Sequence, residues 1–353
     1  MRTFDTKTKN ITKRALGHGA VLLVSDQGDI SNHETTVWRG ERRPRRWVSV
    51  NTSGNVPRSA LIQRADSLSL KGDDVLVRQG KNTTKLKGEA VTEPSPVMQK
   101  PEGASFTVDA WRGENREAIK ALVECSGRDA SLPVLTAIQM QSQNGGIRAY
   151  GTDRYRLAEA RMETVSKSVE FSALVPRFVL HELTTNRAWH LSVWENFTIA
   201  EFCETGVRVQ TTNLQGDYPK VADLFTEHPD EQIATWTVTP RVFAKAVKDL
   251  HPPRHNPVAL SSDGLIGAEG AGHVRPAGVV SVKAGEKAEK WVAVEGVYLE
   301  GLLRAVSDYE AVDVWWGEHM KPVHVVATDR LRLLLMPVRG VRRSFPVSDI
   351  FEG

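Results

Sequence analysis

Cysteine is scarce. Only Cys125 and Cys203 occur among 353 residues, so there is no CxxC pair and no zinc-ligand spacing. A disulfide framework is therefore excluded as the organising device, and two thiols fit a reducing compartment. Long apolar runs are also missing. None approaches the roughly 18–20 residues that span a bilayer, and 1-MRTFDTKTKNITKRALGHG-19 lacks the apolar centre of a signal peptide. The expectation is a cytoplasmic protein with no membrane partner. An excess of one charge is absent as well, with 46 basic against 43 acidic residues and a net charge of +3. That balance neither demands nor forbids nucleic acid. What matters is whether the basic residues share a face.

Catalytic signatures are equally sparse. The one glycine-rich run, 264-GLIGAEGAGHVRPAG-278, has no Lys-Ser/Thr after it, and the next segment reads as a strand, so it reads as a wide hairpin or flexible loop rather than a phosphate cradle. No GxSxG or HExxH occurs. His251, His255 and His273 carry no metal-ligand spacing. His181 beside Glu182 lies on a helix and reads as filler rather than as a general base. The chain is read as a non-enzyme that needs no metal or cofactor.

What is present is repetition. Three segments open on Pro followed by apolar residues three or four apart: 56-VPRSALIQRADSL-68, 175-VPRFVLHELTTN-186 and 239-TPRVFAKAVKDLH-251. Pro suits the first turn of a helix because its missing N–H has no partner there anyway. Helices are also expected over 294–308 and over 109–127, the latter with Asp109 or Asn115 as cap and Gly127 as stop. A sixth, short one is read at 7–17. Between them run β-rich pieces punctuated by Gly, Asn and Asp: 147–153, 206–214, 278–284, 290–296, 312–316 and 323–329. Two helices per about 110–120 residues predict an α+β chain of three similar units, each an antiparallel sheet backed by two helices. The Pro- and charge-rich stretch 91–105 marks one boundary and 226–232 the next, with a loop at 251–257 inside the third unit. The domains are thus 1–103, 104–230 and 231–345, with a tail at 346–353.

Basic residues recur on these helices. Arg241, Lys245 and Lys248 are spaced i, i+4, i+7 and share one face; Arg116 and Lys120 are i, i+4; Arg58, Arg64, Arg177 and Arg304 lie on the others. Singly, each is an ordinary solvated charge. Together, on the inner side of an arc, they would neutralise phosphates without reading sequence.

A phrase also occurs twice, TDRYRL at 152–157 and TDRLRL at 328–333. With its surroundings the first copy resembles a known family. Segment 106–162 is similar to the middle domain of bacterial DNA polymerase III beta-type sliding clamps, which carry TDGHRLA where this chain has TDRYRLA. Co-linear with it, 174-LVPRFVLHEL-183, 212-TNLQGDYPKVADLF-225 and 334-LLMPVRG-340 resemble further family phrases, so the likeness covers about residues 105–340. The first hundred residues fit less well and imply a shortened, divergent first domain.

The resemblance implies a head-to-tail homodimeric ring around duplex DNA, with partners including the replicative polymerase and the clamp loader. These would insert a short glutamine-leucine-phenylalanine type of motif into an apolar groove. Carried over residue by residue, that groove uses Leu135, Thr152, Arg154, Tyr155, Arg156, Leu157, Pro219, Asp223, Leu224, Leu334, Met336, Pro337, Val338 and Arg339. Arg154 stands where the family has glycine, Tyr155 where it has histidine, and Asp223 where arginine is common. The pore set is the nine basic residues named above. The competing expectation is a clamp-derived binding protein that does not encircle DNA.

Overall fold

The computed structural model describes residues 5–16, 21–25, 27–32, 34–39, 47–52, 56–91, 103–143, 146–165, 170–225, 234–250, 257–268, 272–284, 291–317 and 321–338. The boundary segments expected at 91–105 and 226–232, most of the 251–257 loop, His251, His255 and the tail fall wholly or largely outside these residues.

Elements recur in one order. The first stretch holds α1 (Thr6–Leu16), β1 (Val21–Ser25), β2 (Ile30–Ser31), β3 (Thr35–Trp38), β4 (Trp47–Asn51), α2 (Val56–Gln63), β5 (Ser67–Lys71), β6 (Asp74–Gln79), β7 (Asn82–Lys87) and β8 (Glu89–Ala90). The middle stretch holds β9 (Ser105–Asp109), α3 (Asn115–Cys125), β10 (Ala137–Gln143), β11 (Gly146–Thr152), β12 (Arg156–Glu163), β13 (Ser172–Pro176), α4 (Arg177–Thr185), β14 (Trp189–Trp194), β15 (Phe197–Phe202) and β16 (Val207–Thr212). The last holds β17 (Ala234–Val238), α5 (Pro240–Leu250), β18 (Pro257–Ser261), β19 (Ile266–Ala268), β20 (Gly272–Val274), β21 (Val279–Ala284), β22 (Trp291–Glu295), α6 (Gly296–Ala305), β23 (Val312–Trp316), β24 (Val323–Thr328) and β25 (Leu331–Leu335). All six expected helices form, each backed by antiparallel strands, so the α+β reading with a repeated unit holds. One detail differs. Pro176 is the cap of α4 and the last residue of β13, one place before the first helical turn, with ψ 130°.

The glycine-rich run is a hairpin, as expected, with Ile266 opposite Val274 and Gly267 opposite His273.

The chain forms two compact units. One is Met1–Arg116 with Gln141–Gly146 and Glu163–Gln215; the other is Glu117–Met140 with Ile147–Met162 and Gly216–Gly353. In the first, a sheet runs β8-β4-β1-β2-β3-β16-β15-β14-β9, and β5-β6-β7 forms a second sheet. Strand β3 meets β16 in the register Val37 to Val209 and Thr35 to Thr211, where the two threonine hydroxyls lie 3.0 Å apart. Apolar residues alternate inward along β14 and β15, burying Trp189, Leu191, Val193, Ala200 and Phe202. The buried Arg39 guanidinium donates to Thr12 Oγ1 on α1 at 2.7 Å and to the Gln63 carbonyl at the end of α2 at 3.2 Å. Burial pulls its pKa down to about 9, against the opposing field of Asp29.

In the second unit a sheet runs β10-β11-β12-β25-β24-β23-β17-β21, beside a smaller one in the order β20-β19-β18-β22. Trp236, Trp316 and Phe243 fill its core, with Trp236 meeting both others edge-on at 5.7–5.8 Å.

Candidate partner groove and basic helix faces

The expected groove residues start at a turn. Between β11 and β12, Asp153 Oδ1 accepts the backbone N–H groups of Tyr155 (3.0 Å) and Arg156 (2.7 Å), an Asx turn. Thr152 Oγ1 accepts the Arg154 N–H at 3.1 Å and donates to the Arg156 carbonyl at 2.8 Å. These bonds hold Arg154 at φ +80°, making it the one non-glycine among the described residues with positive φ. Such a backbone costs about 1–2 kcal/mol for an L-residue.

The buried Arg156 guanidinium donates to Asp153 Oδ2 at 2.8–2.9 Å and to Glu124 Oε1 on α3 at 2.6 Å. It also lies 4.6 Å over the Tyr298 ring of α6. Tyr155, exposed, stacks on that same ring at 5.9 Å. Glycine at 301 makes room for this arrangement: a Cβ there would sit 2.6 Å from Glu124 Oε1.

Strand β25 lies beside this turn. It pairs with β12 from Arg156–Leu335 to Ala160–Leu331, with Leu157 opposite Leu334. The chain then leaves the ladder. The Met336 N–H donates to the Tyr155 carbonyl at 2.9 Å, Pro337 bridges to Val294, and the Val338 N–H donates to the Ala293 carbonyl at 2.9 Å. Residues 336–338 thus run from the turn to β22.

Segment 216–225 is fixed beside them. The Tyr218 hydroxyl accepts the Thr152 N–H (3.1 Å) and donates to the Tyr150 carbonyl (3.2 Å). The Phe225 carbonyl accepts Arg332 Nη1 at 3.1 Å. Behind this face Glu159, buried, is held by Arg148 and Arg332. Burial together with the Glu159 charge pushes the neighbouring Tyr150 phenol up to about 12.

The expected groove residues therefore separate into two groups. Leu135, Thr152, Arg156, Leu157 and Leu334 are buried. Arg154, Tyr155, Pro219, Asp223, Leu224 and Met336 are exposed, and Pro337 and Val338 are half-buried. All lie in the second unit, whereas Arg339 lies outside the described residues. Sequence reasoning missed Asp153, Glu124, Tyr218 and Tyr298. An aspartate three places before the first residue of the strand is a readable Asx-turn signal; nothing in the spacing pointed to the other three. The second copy of the phrase does different work. Thr328–Leu331 closes the β24–β25 hairpin, and the Arg330 N–H meets Thr328 Oγ1 at 3.2 Å, as Arg154 meets Thr152. The two turns thus lie at opposite ends of the β12–β25 ladder.

The basic set is less uniform. Arg241, Lys245 and Lys248 are exposed along α5, and Arg304 on α6 is exposed 3.7 Å from Glu300. Lys120 on α3 is ion-paired with Asp308, whose other oxygen lies 3.9 Å from Arg241. In the first unit Arg64 is exposed, Arg116 and Arg177 are half-buried, and the Arg58 side chain lies outside the described residues. On α1, Lys7 and Lys9 pair with Glu204 and Asp66. Among the described residues no cluster of His, Cys, Asp or Glu fits a metal ion, and no helix is long and apolar enough to cross a membrane.

Comparison with known proteins gives one family. Residues 113–220 match the DNA polymerase III beta subunit, central domain. The beta sliding clamp of Streptomyces coelicolor is 30% identical over 214 residues, 57% of this chain and 55% of that protein. The beta sliding clamp of Micrococcus luteus is 27% identical over 186 residues, 51% and 59% of the two chains. The chain thus spans little more than half the length of these relatives. Among solved structures, the DNA polymerase sliding clamp from Bacillus subtilis superposes with a TM-score of 0.71 at 16% identity, covering 94% of this chain and 96% of that one. The beta subunit from the DNA polymerase of Streptococcus pyogenes gives 0.70 at 16% identity over the same shares. The middle of the chain thus matches the DNA polymerase III beta subunit, central domain, its curated relatives named above are beta sliding clamps, and the solved clamps share its fold.

Proposed function

We propose that two copies of this chain close head to tail into a ring around duplex DNA and tether the replicative polymerase there. In this reading the domains are 1–103, 104–230 and 231–345, and no bond chemistry is involved. Processivity comes from the raised effective concentration of a tethered partner.

One observation carries the ring: the sheet edges. The third strand of the first stretch, β3, pairs with the last strand of the middle stretch, β16. The third strand after α3, β12, pairs with the last strand of the final stretch, β25. By the same rule β20 awaits the matching strand of a further stretch, and among the described residues it ends its sheet. The third strand after α2, β7, which corresponds to β16 after α4 and β25 after α6, likewise ends the β5-β6-β7 sheet. Open edges of this kind invite pairing. Joining β20 of one copy to β7 of the next is a heterologous contact, and six such stretches complete a ring with two chains. The exposed cations of α5 then serve non-specific phosphate contact, and the exposed Met336, Leu224 and Tyr155 receive the partner motif of polymerase or loader. Met and Leu suit a groove with several partners because they repack.

The second reading, a clamp-derived binding protein that does not encircle DNA, is favoured by Asp308, which places a carboxylate against Lys120 and Arg241. Light scattering with negative-stain imaging decides. The expected result is twice the 39.1 kDa chain mass and rings with an open centre. Monomers without a hole sink the ring and leave the groove as the functional surface.

A further inference from the structure

We infer that Arg154 is a specificity residue that selects partner segments carrying a carboxylate beside their apolar anchor. The inference rests on the groove reading above and names the chemistry of its occupant.

Arg154 occupies a position that glycine would fill without strain. The bonds from Thr152 and Asp153 fix the turn at φ +80°, so an arginine side chain is carried there at a conformational cost. Among the described residues that cost has no return inside the fold. The carboxylate of its own turn, Asp153, is saturated by the Tyr155 and Arg156 N–H groups and by the Arg156 guanidinium. Glu124 is likewise directed at Arg156. The remaining carboxylate in its field, Asp129, is engaged by the Ser131 N–H at 2.9 Å, and Arg154 is the weakest of the influences upon it. The Arg154 guanidinium is therefore exposed, beside an exposed Tyr155 that Tyr298 holds in place.

Two residues make the anchor-and-charge arrangement local. Met336, 39% exposed, is bonded through its N–H to the carbonyl of Tyr155, the residue next to Arg154. An apolar side chain seated on Met336 and Tyr155 brings its flanking residues into reach of Arg154. A guanidinium at the rim of an apolar patch favours a carboxylate there and disfavours a cation, and acts on discrimination more than on total affinity.

The test uses the full chain and two fluorescein-labelled peptides with one glutamine-leucine-phenylalanine core, flanked on both sides by glutamate in one and by glutamine in the other. The glutamate peptide is expected to bind about three- to fivefold more tightly at low salt, with the preference fading at high salt. In Arg154→Gly the ratio of the two affinities falls to about one, whatever the absolute affinity of either peptide; glycine fits the turn, so folding is not at risk. Arg154→Gln, which keeps most of the bulk, loses the preference equally. Equal binding of both peptides to the parent chain, or a preference that survives in Arg154→Gly, overturns the inference and leaves the groove standing. Failure of either peptide to bind the parent chain overturns the groove reading and this inference together.

Discussion

At Asp153 one carboxylate meets two backbone N–H groups and a guanidinium. Its side chain is 15% exposed and that of Arg156 only 9%, so water cannot easily replace either partner. Asp153→Ala orphans two turn N–H groups and leaves Arg156 with Glu124 alone. The expected loss is about 2–4 kcal/mol, measured by chemical denaturation. Asp153→Asn keeps an acceptor for the turn and loses the charge, so it falls between alanine and the parent. A loss under about 1 kcal/mol for alanine would mean that Glu124 holds Arg156 unaided. The contrast with Arg154 is instructive. The phrase TDRYRL shows both residues equally, yet one is saturated by the fold and the other faces outward. Sequence gives the residue types; only the turn's hydrogen bonds decide which charge is left over.

Among the elements, β11 and α3 approach each other closely. A Cβ on Gly151 would stand 2.4 Å from the Leu122 carbonyl oxygen, and both groups are backbone. Neither can yield as a flexible side chain would. Gly151→Ala is expected to destabilise the chain by about 3 kcal/mol and to lower soluble yield; an alanine variant as stable as its parent would contradict this packing. Legibility varies among the elements for similar physical reasons. Helix α5 was plain in the sequence because Phe243, Ala244 and Val247 are buried while Arg241, Lys245 and Lys248 face water. Helix α1 was barely legible. Its residues TKTKNITKRAL are polar, and its support is tertiary and capping: Thr12 receives Arg39, Lys9 reaches Asp66, and Asp5 Oδ1 accepts the Thr8 N–H at 2.7 Å. None of those partners except Asp5 is near in sequence. The short strands β2, β8 and β20 were illegible for another reason: two or three residues carry no period.

At the scale of the whole molecule the open question is electrostatic, since a net charge of +3 cannot by itself hold DNA. In the proposed reading local arrangement does so, and the basic residues are not equivalent. On α5, Lys245 and Lys248 are exposed, and Arg241 keeps 77% of its side chain in water although Asp308 lies 3.9 Å away. The Lys120 ammonium is already paired with Asp308. If α5 faces the duplex, replacing Arg241, Lys245 and Lys248 by Gln lowers the slope of log affinity against log salt by up to about 3, at roughly 0.9 per phosphate neutralised. Lys120→Gln barely changes that slope, because it removes a charge that Asp308 had cancelled. Asp308→Asn moves it the other way, releasing Lys120 and the Arg241 field together. Equilibrium binding to a short duplex across a salt series reads all three. An unchanged slope in the triple variant would remove α5 from the DNA path, and with it the main electrostatic support for a ring on DNA. The ordered result, with Asp308→Asn steepest, the parent and Lys120→Gln close together and the triple variant shallowest, would identify Asp308 as a built-in brake on the grip, favouring a clamp that slides over one that binds tightly in place.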